Sequence, residues 1–86
     1  MGQTRGRRTP KRLARKLLAI REKLGVSQTE MAKRLNLRSA YTAISGYERG
    51  AREPELPILL AYARLVGIST DILIDDKLNL PWDSQR

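Results

Sequence analysis

Nine basic side chains fall within residues 1–23: Arg5, Arg7, Arg8, Lys11, Arg12, Arg15, Lys16, Arg21 and Lys23. Glu22 is the one acid among them. From residue 24 onward eight basic and eight acidic residues cancel, so the net charge of +8 resides in the first quarter of the chain. Charge concentrated in this way attracts a polyanion, and nucleic acid is the natural partner. A solvated, solubilising tail is the plainer alternative.

Bond-making chemistry has little to work with. The chain contains no histidine and no cysteine, which removes the commonest general base and metal ligand together with all thiol chemistry. An enzyme would have to rely on Glu53, Glu55, Asp71, Asp75 and Asp76, whose positions read as loop and helix-end charges. No enzyme activity, cofactor or metal is expected. The longest apolar run, LPILLAYA from Leu56, carries a proline and falls short of the roughly 18 residues a membrane span needs. No uninterrupted apolar core follows the basic start as a secretory signal requires. The expectation is a soluble, cytoplasmic protein with one small domain and two tails.

The elements that must position the charges are helical. MGQTRGRRTP has no apolar periodicity and reads as a flexible basic arm, residues 1–12. Leu13, Leu17, Ile20 and Leu24 then recur at helical spacing, placing helix one over about 11–24 with Gly25 as its cap. Ser27-Gln28-Thr29-Glu30 matches a capping box, flanked by Val26 and Met31 at the spacing of a hydrophobic staple. Helix two therefore starts at Gln28 and runs to Leu35, and Asn36 suits the tight turn that follows. Helix three begins near Ser39 or Ala40 and ends before Gly50. Its inward stripe is Ala40, Ile44 and Tyr47, which leaves Tyr41, Thr42, Ser45, Gly46 and Arg49 outward. Helix four starts at Pro57 and draws its core residues from Leu59, Leu60, Ala63 and Val66. Ser69 caps a short last helix that returns Ile72 and Leu73 to the core. Residues 76–86, with Trp82, read either as a frayed tail or as a docking segment for a partner. The spacing predicts an all-α fold of five short helices.

Two helices joined by a short turn, the second with a small polar outward face, form a helix-turn-helix candidate over about 28–48. In that arrangement the second helix lies in the DNA major groove. Residues 17–75 resemble the Cro/CI-type, XRE-like helix-turn-helix family of phage and bacterial repressors. The resemblance is carried by LLAIREKLGVSQTEMAKRLNL, then AISGYERGAREPELPILLAYARLVGIST, then DILID. It implies a five-helix, phage-repressor-like DNA-binding domain over residues 13–75. It implies further that Gln28 anchors to a DNA phosphate and that Tyr41, Thr42, Ser45 and Gly46 fall where bases are read, with Ala43 close enough to pack on a thymine methyl. Tyr41 either touches a base or sugar or packs against helix two. Arg49 and Arg52 match places where backbone N–H groups and basic side chains grip phosphate, and Arg21 with Glu48 matches a bridge from helix one to the end of helix three.

The chain departs from the family pattern between Leu37 and Ile44, where RSAYTA has six residues against about four. Arg38 and Ser39 are assigned to phosphate, with a bidentate guanine contact open to Arg38. Gly46, where the family often has a long polar side chain, suggests close backbone approach or ordered water at the helix centre. Arg5, Arg7, Arg8, Lys11 and Arg12 form an arm that follows the duplex. The expected function is a sequence-specific double-stranded DNA-binding regulator, a repressor working as a homodimer on a near-palindromic operator. Two rivals are an antitoxin that also binds a toxin protein through the C-terminal tail, and a general RNA- or nucleoid-binding protein.

Overall fold

The computed structural model describes residues 9–37 and 41–83 and, of Tyr41, the backbone only. Expectations resting on Arg5, Arg7, Arg8, Arg38, Ser39 and Ala40 lie outside the described residues. Five helices follow in order: α1 Leu13–Leu24, α2 Gln28–Arg34, α3 Tyr41–Arg49, α4 Leu56–Leu65 and α5 Thr70–Ile74. Among the described residues there is no strand, and no helix is long and apolar enough to cross a membrane.

Local chemistry sets the boundaries. The Ser27 hydroxyl accepts the Glu30 N–H at 3.0 Å, so α2 starts where the capping residue dictates. Among the described residues only this half of the capping box forms, and the Glu30 carboxylate meets Arg34 one turn on, at 3.5 Å. The end of α2 is closed by Asn36 in the left-handed conformation (φ 61°), while the Leu37 N–H returns to the Ala32 carbonyl at 2.9 Å. A short side chain that tolerates this conformation is what so tight a turn needs.

The core is drawn from every helix: Leu13, Leu17 and Ile20 of α1, Met31 and Ala32 of α2, Ala43, Ile44 and Tyr47 of α3, Leu59, Tyr62 and Ala63 of α4, and Leu73 of α5. Leu35 joins them just after α2. Tyr47 and Tyr62 meet edge to face, with centroids 6.5 Å apart at 71°, a favoured aromatic geometry. Leu60 belongs outside this list. It is 41% exposed, since α4 turns the Leu59–Tyr62–Ala63 face inward instead.

The C-terminal residues are not a frayed tail as far as they are described. Leu80 is 1% exposed and part of the core, and Trp82, partly buried, packs against that core. The segment runs along α1 from its beginning towards its end. At the beginning, the Asp76 carboxylate accepts the Lys11 and Arg12 N–H groups at 2.9 and 3.0 Å, satisfying donors that a helix start leaves over. These bonds hold the Asp76 carboxyl below its ordinary range, the Arg12 amide contributing most. At the other end, Lys23 Nζ lies 5.5 Å from the Trp82 ring centroid. Lys16, 3% exposed, donates Nζ to the carbonyls of Ile72 at 2.7 Å and Asp75 at 3.0 Å. It thereby caps the end of α5, and burial lowers its pKa.

Candidate nucleic-acid interface

The angle between α2 and α3 is fixed by a shared carboxylate. Arg21, on the last turn of α1, donates Nε to Glu48 Oε2 at 2.6 Å and Nη2 to Glu48 Oε1 at 3.0 Å. Its remaining Nη1 donates to the Val26 carbonyl at 3.0 Å, just before α2. Gln28, the first residue of α2, donates Nε2 to the same Glu48 Oε1 at 3.1 Å. One carboxylate near the end of α3 is thus held by both preceding helices. The Glu48 side chain is 6% exposed and that of Arg21 19%, so the pair is largely out of water and its two-pronged geometry specifies orientation. The contact with Glu48 raises the Arg21 pKa. The Tyr62 hydroxyl is buried nearby without a hydrogen-bond partner among the described residues. Burial first, then the negative charge of Glu48, pushes its pKa up.

This arrangement gives the Arg21–Glu48 pair its bridging geometry and gives Gln28 a partner the sequence does not disclose. An amide nitrogen carries two N–H donors; Glu48 takes one, and Gln28 remains half-exposed at the start of α2.

Along α3 the expected outward face divides. Thr42 and Arg49 are exposed and Ser45 is half-buried between them. Arg49 Nε donates to Ser45 Oγ at 3.1 Å, one helical turn back. The backbone of Tyr41 opens the helix on this side. Ala43 and Gly46, by contrast, are buried. Ala43 is 1% exposed within the core, so its methyl group is covered by protein and does not face a groove. Gly46 is covered by the loop after α3, where an added Cβ would stand 3.2 Å from Arg52 Cβ. The close approach at this glycine is made by the protein's own chain, in place of a duplex or water.

The phosphate-gripping expectation changes too. The Gly50 N–H donates to the Tyr47 carbonyl at 3.3 Å, and the Ala51 and Arg52 N–H groups donate to the Gly46 carbonyl at 3.0 and 3.2 Å. These amides close the helix, with Gly50 in the left-handed conformation at φ 75°. Around this turn the exposed side chains of Arg49 and Arg52, rather than those backbone donors, are available to an anion. In the basic arm, Lys11 is exposed, but Arg12 is occupied. Its Nη1 donates to the carbonyls of Asp76 at 2.6 Å and Leu78 at 3.3 Å, and its Nη2 to Asn79 Oδ1 at 2.6 Å.

The sequence profile of the helix-turn-helix family matches residues 17–73. The chain is 37% identical over 62 residues to the HTH-type transcriptional regulator ImmR of Bacillus subtilis (strain 168), a match covering 72% of this chain and 47% of that protein. The chain therefore spans about half the length of this curated relative. Its fold resembles that of the P22 c2 repressor in complex with a synthetic operator, with a TM-score of 0.66 and 30% identity over 74% of this chain and 94% of the other. It resembles equally the N-terminal DNA-binding domain of SinR from Bacillus subtilis, with a TM-score of 0.66 and 22% identity over 77% and 94% of the two chains. With five helices in this arrangement and α2 and α3 pinned through Glu48, the chain belongs to the helix-turn-helix family, of the Cro/CI type that its motifs resemble.

Proposed function

We propose that the chain is a sequence-specific, double-stranded DNA-binding transcriptional regulator acting as a repressor. The observation that carries this reading is the Arg21–Glu48–Gln28 network, which fixes α3 against α2 while Thr42, Ser45 and Arg49 stay on the accessible side. In this reading α3 enters the major groove, with Thr42, Ser45 and Tyr41 towards base edges. Gln28 and the side chains of Arg49 and Arg52 hold the phosphates on either side, joined by Arg38 and Ser39, which precede α3 in the sequence. One short helix covers few base pairs. Two copies on a near-palindromic operator, with half-sites roughly 34 Å apart, supply the remaining specificity.

Arg5, Arg7, Arg8 and Lys11 act as a phosphate-seeking arm, while Arg12 serves as its anchor on the C-terminal segment. Deleting residues 1–8 is expected to flatten log affinity against log salt by up to about 2.7, roughly 0.9 for each of three arginines. The decisive experiment is selection of binding sites from random duplexes at two salt concentrations. Recovery of one two-fold-related sequence at both supports the reading. Binding that only weakens with salt and selects no sequence supports a general nucleic-acid-binding protein instead. Trp82 packs against the chain's own core and under Lys23 while staying half-exposed.

A further inference from the structure

Glycine is the poorest helix former apart from proline, yet Gly46 sits within α3 at an ordinary helical conformation. Its surroundings give a reason. The loop that follows folds back until two successive amides, of Ala51 and Arg52, converge on the Gly46 carbonyl. The aliphatic stem of Arg52 then lies against the bare Cα. A Cβ at position 46 would stand 3.2 Å from Arg52 Cβ, 3.5 Å from Cδ and 4.0 Å from Cγ. The nearest of these atoms is tied to the backbone, so it cannot swing away as the free end of a side chain could. Beyond the stem, the Arg52 guanidinium carbon lies 5.8 Å from the ring centroid of Tyr47, within reach of a cation–π attraction. Tyr47 is itself a core residue, 5% exposed. Arg52 nevertheless remains exposed as a whole.

We propose that Gly46 is a positioning residue for Arg52. By leaving its side-chain volume empty it seats the arginine stem on the flank of α3, and the guanidinium is held ready for one phosphate bordering the groove. This inference rests on the DNA-binding function proposed above and assigns position 46 a different part in it. The residue reads no base. It acts on the duplex through a charge carried six positions later, whose stem is already packed before binding.

The test uses the full chain and the duplex recovered by site selection. Affinity is measured against salt for the parent, Arg52→Ala, Gly46→Ala and the double variant. Arg52→Ala removes one phosphate contact and flattens the salt slope by about 0.9, with an affinity loss on the order of tenfold. Gly46→Ala changes no charge, yet is expected to flatten the slope to the same degree, and the double variant to be no flatter than Arg52→Ala alone. A Gly46→Ala slope equal to the parent's, or losses that add in the double variant, overturns the proposal.

A melting experiment judges the seat independently of DNA. Gly46→Ala is expected to lower the melting temperature when Arg52 is present and to raise it in an Arg52→Gly background, where the obstructing Cβ is gone. The same change in both backgrounds overturns the seat, including in a protein that selects no duplex. A parent that selects no duplex overturns the regulator reading and the phosphate contact together, while the melting pair still decides whether Gly46 seats Arg52.

Discussion

At the C-terminal end of α1, Arg21 grips a carboxylate; at its N-terminal end, Arg12 and Lys16 grip mostly main-chain oxygens. The two clamps differ in what happens when a partner leaves. Glu48 is a charge held at 6% side-chain exposure and depends on both Arg21 and Gln28, so losing any member strands the others in a poorly solvated place. The carbonyls of Ile72, Asp75, Asp76 and Leu78 are neutral groups, so a lost donor there strands no charge. The first clamp fixes an orientation with little tolerance. The second adds stability in increments that can be removed one at a time.

The contrast breaks most readily at Glu48. Glu48→Ala is expected to cost about 3 kcal/mol in urea unfolding, since it leaves Arg21 partly buried without its counter-charge. It should also abolish sequence-selective DNA binding; retained selectivity would mean that α3 is oriented by packing alone. Lys16→Met keeps the stem and removes the two bonds to α5. A loss of about 1–2 kcal/mol is expected, with selectivity unchanged among molecules that remain folded. A change in selectivity would erase the distinction between the clamps.

Acid reaches the N-terminal clamp through Asp76. Because Asp76 has a folded pKa below its ordinary 3.8, its contribution is fully present above that value and is lost as pH falls through the folded pKa. Melting curves between about pH 2 and pH 5 should therefore show a smaller acid loss for Asp76→Asn than for the parent. An identical acid limb would place the linkage elsewhere. The smallest effect is expected at Tyr62→Phe. Removing a buried hydroxyl that has no partner should leave stability unchanged or raise it by less than about 1 kcal/mol. A loss beyond that range would enrol the hydroxyl in the Glu48 network.

Much of the helix-turn-helix clamp was legible in the sequence because its parts are local or belong to a recurring motif. Ser27 caps α2 through a bond three residues long, Asn36 marks the turn by its backbone tolerance, and Arg21 with Glu48 came with the family resemblance. Gln28 was singled out for phosphate, but its bond to Glu48 spans twenty residues and has no sequence signature. The other clamp was not read. Arg12 and Lys16 seek main-chain carbonyls, which every residue offers, so no partner residue gives them away. Lys16 did leave a trace, since it lies on the Leu13–Leu17–Ile20 face where a charge needs an explanation. The packing of Leu80 and Trp82 on the core has no sequence signature, because two apolar residues around a proline make no period. Helical spacing puts Gly46 outward, because it describes a helix alone and knows nothing of the loop that folds back on its flank, while the groove-facing reading of Ala43 comes only from the family resemblance.

The segment that ends in Leu80 and Trp82 also bears on where this domain stops. The family pattern closes at residue 73, whereas a core residue and the cap on the first helix come from positions 80 and 76. A fragment cut to the recognised motif would open a cavity beside α1 and uncap it in the same stroke. The stretch that carries this core and this cap is therefore longer than the pattern by which its kin are recognised.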